Sequence, residues 1–131
     1  MSDAASSFLF VDDPHAFRDA AALIVRVPAK ARGKEKVLNV LSRGLRFPKY
    51  FGGNWDALDE CLNDLSWLEG VTSVVLVHEG LPFLRGGEQL STYLALVRDV
   101  VVARKAAEKQ PSLAVVFPTA VRDVVEGVDA A

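Results

Sequence analysis

Three apolar runs along the chain predict buried β-strands. They cover residues 23–27, 71–77 and 113–117, and prolines directly follow the first and the last run, at Pro28 and Pro118. Short runs rich in Val, Ile and Leu are typical of strands that are covered on both faces of a sheet. The chain therefore contains at least three central strands.

Helical periodicity occupies the segments between these runs. Apolar residues fall on one side of a helix in residues 34–45, 55–65 and about 88–109. The three stripes are Val37, Leu38, Leu41 and Leu45; Leu58, Cys61, Leu62 and Leu65; and Leu90, Tyr93, Leu94, Val97, Val100 and Val101. Strands that alternate with helices predict parallel pairing through right-handed crossovers. We expect an α/β fold, with a small three-stranded parallel sheet packed with helices.

The two ends of the chain lie outside this alternating pattern. Residues 8–11 are compatible with a short strand, and Asp13 and Pro14 suit the N-cap and first turn of a small helix ending near Ala22. The 131 residues, half of them hydrophobic, suit one domain. We expect an N-terminal elaboration, a main domain and a C-terminal tail at residues 1–22, 23–118 and 119–131.

The segment before the second helix has the features of a structured loop. Pro48 ends the preceding helix, Gly52 and Gly53 let the backbone turn, and Asn54 is a suitable N-cap for a helix beginning at Trp55. An aromatic, glycine-containing loop therefore leads directly into this helix.

The outward side of this helix is acidic. Asp56, Asp59, Glu60 and Asp64 share it with Asn63, and none of the acids has a Lys or Arg three or four residues later. Like charges at i, i+4 destabilise an isolated helix by roughly 0.2–0.5 kcal/mol per pair. The face is either simply solvated or a surface for a cationic partner, and the pattern alone leaves both interpretations open.

Charge is distributed unevenly along the chain. The net charge is −2, but residues 50–84 contain six acids and no Lys or Arg. The rest of the chain contains the other 11 acids and all 15 bases. A segregated charge distribution speeds encounter with an oppositely charged protein and orients it.

The loop and the acidic helix resemble the barstar family, the intracellular inhibitors of barnase-type ribonucleases. The match is the run FPKYFGGNWDAL at residues 47–58, followed by Glu60, Cys61 and Leu62. Barstars have P-x-Y-aromatic-G-x-N-x-D-A-L and then D-C-L. The resemblance continues more weakly over residues 23–117. It implies the barstar fold and an inhibitor that blocks a ribonuclease, without chemistry or a cofactor of its own.

The resemblance also implies roles for individual residues. Glu60 stands where barstars place the acid that enters the phosphate subsite, and Asp56 matches their second acid. Tyr50 would lie against the active-site histidine, with Gly52 and Asn54 near the rim. We expect Tyr50 to be exposed. The expected partner-binding set is Tyr50, Gly52, Asn54, Asp56, Asp59, Glu60, Asn63 and Asp64.

Two residues depart from the family pattern. Glu60 is one methylene longer than the usual Asp, and Lys105 falls near a position where barstars supply another acid. The resemblance therefore implies a barnase-type ribonuclease, a divergent ribonuclease or another cationic toxin as the partner. The alternative is an interaction domain on the same fold with a non-nuclease partner.

Other residues admit both a structural and a functional interpretation. His78, beside Glu79 at a strand end, suits either a polar core or a catalytic base, but no G-x-S-x-G, Walker or G-x-G-x-x-G motif accompanies it. Cys61 is the only cysteine and reads as a core residue rather than a reactive thiol. Trp55 and Trp67 suit either the core or the rim, whereas we expect Phe51 to be buried.

Several classes of function are disfavoured. A regular helix does not wrap six or more carboxylate oxygens around one ion, so we expect no metal site. Direct nucleic-acid binding is disfavoured because the aromatic loop adjoins acids. The first residues have no basic signal region, and no apolar run approaches the ~20 residues that span a bilayer. We expect a cytoplasmic protein without membrane contact, and the oligomeric state stays open.

Overall fold

The computed structural model describes residues 7–49 and 51–130, with side chains up to residue 127. The strands are β1 (Leu9–Val11), β2 (Leu23–Val27), β3 (Ser73–His78) and β4 (Ser112–Pro118). The helices are α1 (Lys34–Gly44), α2 (Trp55–Asp64), α3 (Glu88–Ala106) and α4 (Arg122–Ala130). Two short 3-10 turns lie at Pro14–Ala16 and Thr119–Val121. Within the described residues no helix is long and apolar enough to cross a bilayer.

All strand pairs are parallel, as the alternating pattern predicts, but the sheet has four strands instead of three, in the order β1-β4-β3-β2. The additional strand is β1, which pairs with the end of β4 from Leu9 opposite Val116. Phe8 and Phe10 pack on Phe117, with ring centroids 5.3 and 6.5 Å apart. These aromatic contacts bring the predicted N-terminal strand into the main sheet.

The two faces of the sheet are covered differently. All four helices contribute to the core on one face, and even α4, within the expected C-terminal tail, buries Val125 there. The opposite face buries Val75, Val77 and Val116 beneath an irregular N-terminal segment that includes Phe17. The helices, including the acidic one, therefore lie together on one side of the sheet.

The predicted N-terminal helix ending near Ala22 is wrong, because only Pro14–Ala16 forms a 3-10 turn. Competing hydrogen bonds explain the difference. Arg26 of β2 donates to the carbonyls of Pro14 and Phe17, and the Ala21 N–H donates to the Asp19 side chain at 3.0 Å instead of to a helical carbonyl. The segment is held against the sheet by these contacts without regular helix.

Candidate protein-binding surface

Helix α1 ends at Gly44, where the helix packs closely against the sheet. Gly44 lies against β2, where an added Cβ would be 2.5 Å from a methyl group of Val25. The chain then reverses through Arg46, whose φ is 57°, and the Phe47 N–H donates to the Ser42 carbonyl at 2.9 Å. Packing against β2 thus requires glycine at position 44.

Three aromatic residues anchor the loop. Phe47 contacts Phe51 and Trp67 edge-on, at centroid distances of 4.8 and 5.9 Å. The Trp67 indole N–H donates to the Leu45 carbonyl at 2.8 Å. Phe51 and Trp67 are half-buried, so Phe51 is less enclosed than expected. Tyr50 lies outside the described residues, and its exposure stays a prediction.

Asn54 is the N-cap of α2, as predicted, because its side-chain oxygen accepts the Ala57 N–H at 2.8 Å. Trp55 follows and is half-buried against Phe83 and Tyr93, at centroid distances of 5.9 and 6.2 Å. The Lys34 ammonium of α1 lies 5.5 Å from the centre of the Trp55 ring. The start of α2 is therefore fixed by a cap, an aromatic packing contact and a cation–π contact.

The two loop glycines have different reasons to be glycine. Gly53 has φ +71°, a conformation that favours glycine. Gly52 has no such φ, and an added Cβ would make only ordinary contacts, the nearest being 3.6 Å from the Asn54 amide nitrogen. Both are exposed. The backbone requires Gly53, whereas nothing within the described part of the fold requires Gly52.

Helix α2 has the buried and exposed sides that its pattern predicts. Leu58, Cys61 and Leu62 are buried, and Leu65 closes the helix in a left-handed conformation with φ 53°. Burial, with a smaller contribution from Glu60, raises the pKa of the Cys61 thiol. A buried thiol that stays protonated fits a core residue rather than a nucleophile.

The four acids of α2 are all exposed but are not equivalent. Asp59 accepts a hydrogen bond from the Asn63 amide at 2.9 Å, and Asp64 accepts the Ser66 N–H at 3.2 Å. The carboxylates of Asp56 and Glu60 have no hydrogen bond or ion pair within residues 7–49 and 51–130. Asp56 and Glu60, one helical turn apart, therefore face solvent without a partner in the part of the chain that the structure describes.

The C-terminus of α2 is held by a buried arginine that the sequence analysis did not identify. Arg104 of α3 is 2% exposed, and its Nη1 donates to the carbonyls of Leu62 and Asn63 at 3.2 and 2.8 Å. Its Nη2 donates to the Pro111 carbonyl, and Lys109 donates to the Asn63 carbonyl. Burial lowers the pKa of Arg104, and the charge of Asp64 opposes this shift.

These contacts place two cations at the negative end of the α2 dipole. A sequence signal for Arg104 exists, because it follows Val97 and Val100 by seven and four residues on the apolar stripe of α3. A lone charge that continues a buried stripe indicates a side chain with buried hydrogen-bond partners. The predicted stripe ended at Val101 and missed it.

His78 is part of the core. It is fully buried, with Nδ1 3.1 Å from the Val116 carbonyl and Nε2 2.7 Å from the Tyr93 hydroxyl. Because the carbonyl only accepts, Nδ1 carries the proton and Nε2 accepts from Tyr93. Burial lowers the pKa of His78 to about 4, and the ring stacks on Phe117 at 4.2 Å. These contacts occupy both nitrogens that a catalytic base would use.

The described residues contain no group of three or more His, Cys, Asp or Glu side chains that could hold a metal ion. The predicted binding residues that the structure describes instead form a continuous loop-and-helix surface. Gly52 and Asn54 lie at its loop end, with the acids of α2 beyond them.

Comparison with known proteins identifies one related family. A family model described as Barstar (barnase inhibitor) matches residues 22–118, which include the loop, α2 and strands β2, β3 and β4. Neither the curated proteins nor the solved structures include a match to this chain.

Proposed function

The chain belongs to the barstar family, and from this membership we propose that it is a protein inhibitor that blocks the active site of a cationic ribonuclease. The proposed contact surface is the loop and the outward side of α2. It comprises Tyr50, Gly52, Asn54, Asp56, Asp59, Glu60, Asn63 and Asp64. The protein performs no chemistry in this role and acts by occupying the cleft that RNA would enter.

The exposed carboxylates of Asp56 and Glu60 carry the proposal. A ribonuclease binds phosphates with Arg, Lys and His side chains, which also form strong, charge-assisted hydrogen bonds with carboxylates. Asp56 and Glu60 are exposed on the same side of α2 and have no internal partner to give up among the described residues. Binding a cationic cleft would also relieve their mutual repulsion at i, i+4.

Preorganisation supports the same function. The Asn54 cap fixes the first turn of α2, Arg104 fixes the last, and the aromatic contacts of Phe47 fix the loop. A rigid surface loses little conformational entropy on association, so more of the electrostatic attraction is retained as affinity. We assign the central contacts to Asp56 and Glu60 on this basis.

The other acids of α2 have a secondary role in this proposal. Asp59 is hydrogen-bonded to Asn63 and Asp64 to the Ser66 N–H, so direct insertion of either acid would compete with an existing contact. Their charges still add to the field of the surface, which affects the rate and orientation of encounter more than affinity. Asp59, Asn63 and Asp64 therefore form the flank of the proposed interface.

A second candidate is an interaction domain with a non-nuclease cationic partner. Two observations favour it. Glu60 is longer than the Asp of the family pattern, and Lys105 is exposed in the last turn of α3, where it would repel a basic cleft within reach. A divergent ribonuclease would accommodate the same two differences.

Titration into barnase cleaving RNA, at low and at physiological salt, tests the inhibitor function. We expect stoichiometric inhibition that weakens as salt rises. Glu60→Gln keeps the size of the side chain and removes its charge, so it should raise the inhibition constant roughly 100-fold, because a partner cation is left buried and unpaired. Asp56→Asn should act in the same direction.

Glu108→Gln is the matched control, since Glu108 is an exposed acid outside α2. Equal effects of Glu60→Gln, Asp56→Asn and Glu108→Gln would mean that the wrong surface was chosen. Absence of inhibition at both salt concentrations would favour the second candidate and direct the search to cationic partners captured by the wild-type protein but not by Glu60→Gln.

A further inference from the structure

Helix α1 lies beside the loop and carries the opposite charge to α2. Residues 26–49 contain eight Lys or Arg and a single acid, Glu35. Lys36, Arg43 and Arg46 are exposed. Lys34 is half-buried, and its ammonium contacts the Trp55 ring. Within the part of the chain that the structure describes, none of these four bases forms an ion pair. The basic side of α1 thus lies beside the loop that leads into the acidic helix α2, and no ion pair among the described residues joins the two helices.

An open groove lies next to the basic side of α1, at the loop that precedes α2. It has a volume of about 790 Å³ and runs between α1 and the loop. Lys34, Lys36, Asn39 and Ser42 line it from α1, and Phe51 and Gly53 line it from the loop, with Glu35 as its acid. The groove therefore offers ammonium and amide donors beside a half-buried aromatic ring.

We propose that this groove receives a carboxylate-bearing segment of the same protein partner, next to the basic cleft that α2 occupies. The inference rests on the proposed function and adds the charge pattern of the partner: a cationic centre bordered by acids on the side that faces α1. Two oppositely charged contacts fix one orientation, because a partner rotated by half a turn would bring like charges together. A uniformly basic protein would be repelled by Lys36 and its neighbours.

An acidic protein segment fits the groove better than RNA. One wall of the groove belongs to the loop, and the loop leads directly into α2, where Asp56 and Glu60 are exposed. A phosphate backbone that crossed the groove would meet these acids, because residues 50–84 contain six acids and no base. A protein surface with alternating charge meets no such repulsion, and it would be continuous with the interface on α2.

Peptide probes test the groove without a ribonuclease. Hexaglutamate, hexalysine and a single peptide that joins both blocks through glycines would each be titrated while backbone amide shifts are recorded. We expect hexaglutamate to shift Lys36, Asn39, Ser42 and Gly53, and hexalysine to shift residues of α2. The joined peptide should bind at least about 10-fold more tightly than either block, because its second contact is intramolecular.

Lys36→Glu should abolish the hexaglutamate shifts and leave the hexalysine shifts unchanged. Lys30→Glu is the matched control, because Lys30 is an exposed base in the same segment that does not line the groove, and it should retain both responses. Equal losses in the two variants, or hexaglutamate shifts spread over all surface bases, would overturn the proposal.

Two further outcomes would identify a different ligand for the groove. Tighter binding of oligouridylate than of hexaglutamate at the same amides would identify a nucleic acid. Salt-sensitive self-association that sedimentation detects in the wild type and not in Lys36→Glu would identify a second copy of this chain. Either result would overturn the proposed acidic segment.

The barnase assay separates this inference from the function on which it rests. Failure of the wild-type protein to inhibit barnase would favour the non-nuclease candidate over the inhibitor function, whatever the peptides show. Inhibition by the wild type together with absence of hexaglutamate binding would contradict the groove alone.

Discussion

Helices α1 and α2 bury similar inward sides and expose opposite outward sides. Both pack aliphatic residues into the same core, with Leu41 and Leu58 completely buried. The outward side of α1 carries Lys36 and Arg43, whereas that of α2 carries four exposed acids. The core thus constrains the inward residues of both helices, whereas the outward charges lie outside it.

The ends of the two helices differ as well. Helix α1 begins at Lys34 after Gly33, an N-cap without a side-chain hydrogen bond, and its last turn places Gly44 against β2. Helix α2 has the Asn54 cap at its start and the Arg104 contacts at its end. The helix with the larger internal repulsion is therefore the one whose ends are better fixed, as a preformed binding surface requires.

The largest expected effect comes from removing the contact at the end of α2. Arg104→Met should lower the free energy of unfolding by about 4 kcal/mol, because several buried carbonyls lose a charged donor. Arg43→Met, in the last turn of α1, should change it by less than about 0.5 kcal/mol. Urea unfolding measures both. Similar losses would mean that the ends of the two helices are held equally.

Acidification should show how the buried part of the molecule, as distinct from its exposed charges, affects stability. The pKa of His78 is lowered by burial to about 4 in the folded protein, against 6.5 for an ordinary histidine, so the unfolded chain binds more protons between these values. Stability should therefore fall by about 3 kcal/mol as the pH drops from 6.5 to 4. Urea unfolding across this range measures it.

His78→Gln is the control for the acidification experiment, because glutamine cannot take up the proton. The pH-dependent loss of stability should be reduced in this variant. An unchanged pH profile would assign the loss to the surface carboxylates instead of the buried imidazole.

Loss of the α2 cap should have a smaller effect. Asn54→Ala should destabilise the protein by about 1 kcal/mol, because the Ala57 N–H loses its acceptor. Asn39→Ala is the matched change on α1, where the side chain is exposed and alanine favours the helix. Thermal unfolding of the two variants compares them, and a larger loss in Asn39→Ala would contradict the assignment.

The smallest effect has the opposite sign. Glu60→Gln removes like-charge repulsion with Asp56 and Asp64 and should stabilise the protein by about 0.5 kcal/mol, while weakening binding to a cationic partner. Chemical unfolding at low salt measures the gain. A loss of stability in Glu60→Gln would mean that Glu60 has a structural contact, which would weaken its assignment to the partner.

Much of the fold follows from local patterns. The apolar runs predict β2, β3 and β4, and the 3.6-residue periodicity predicts α1, α2 and α3 to within a few residues. The N-cap at Asn54 was also predictable, because a cap and its helix are adjacent in sequence. The exposure of Asp56 and Glu60 follows from the same periodicity.

Other features depend on residues that are distant in sequence. β1 belongs to the sheet because Phe8 and Phe10 meet Phe117, and the expected N-terminal helix is absent because Arg26 binds the carbonyls of Pro14 and Phe17. Local propensity is a weak guide where such contacts compete with it.

The sequence by itself determined the alternation of strands and helices, the segregation of charge and the acidic side of α2, since each depends on spacing along one segment. Only the tertiary structure decided which acids have partners, that Arg104 holds the end of α2 and that α1 forms a groove with the loop. These features depend on which segments meet in space. The apolar stripe of α3 indicates that Arg104 is buried, but no spacing along one segment specifies which carbonyls it contacts.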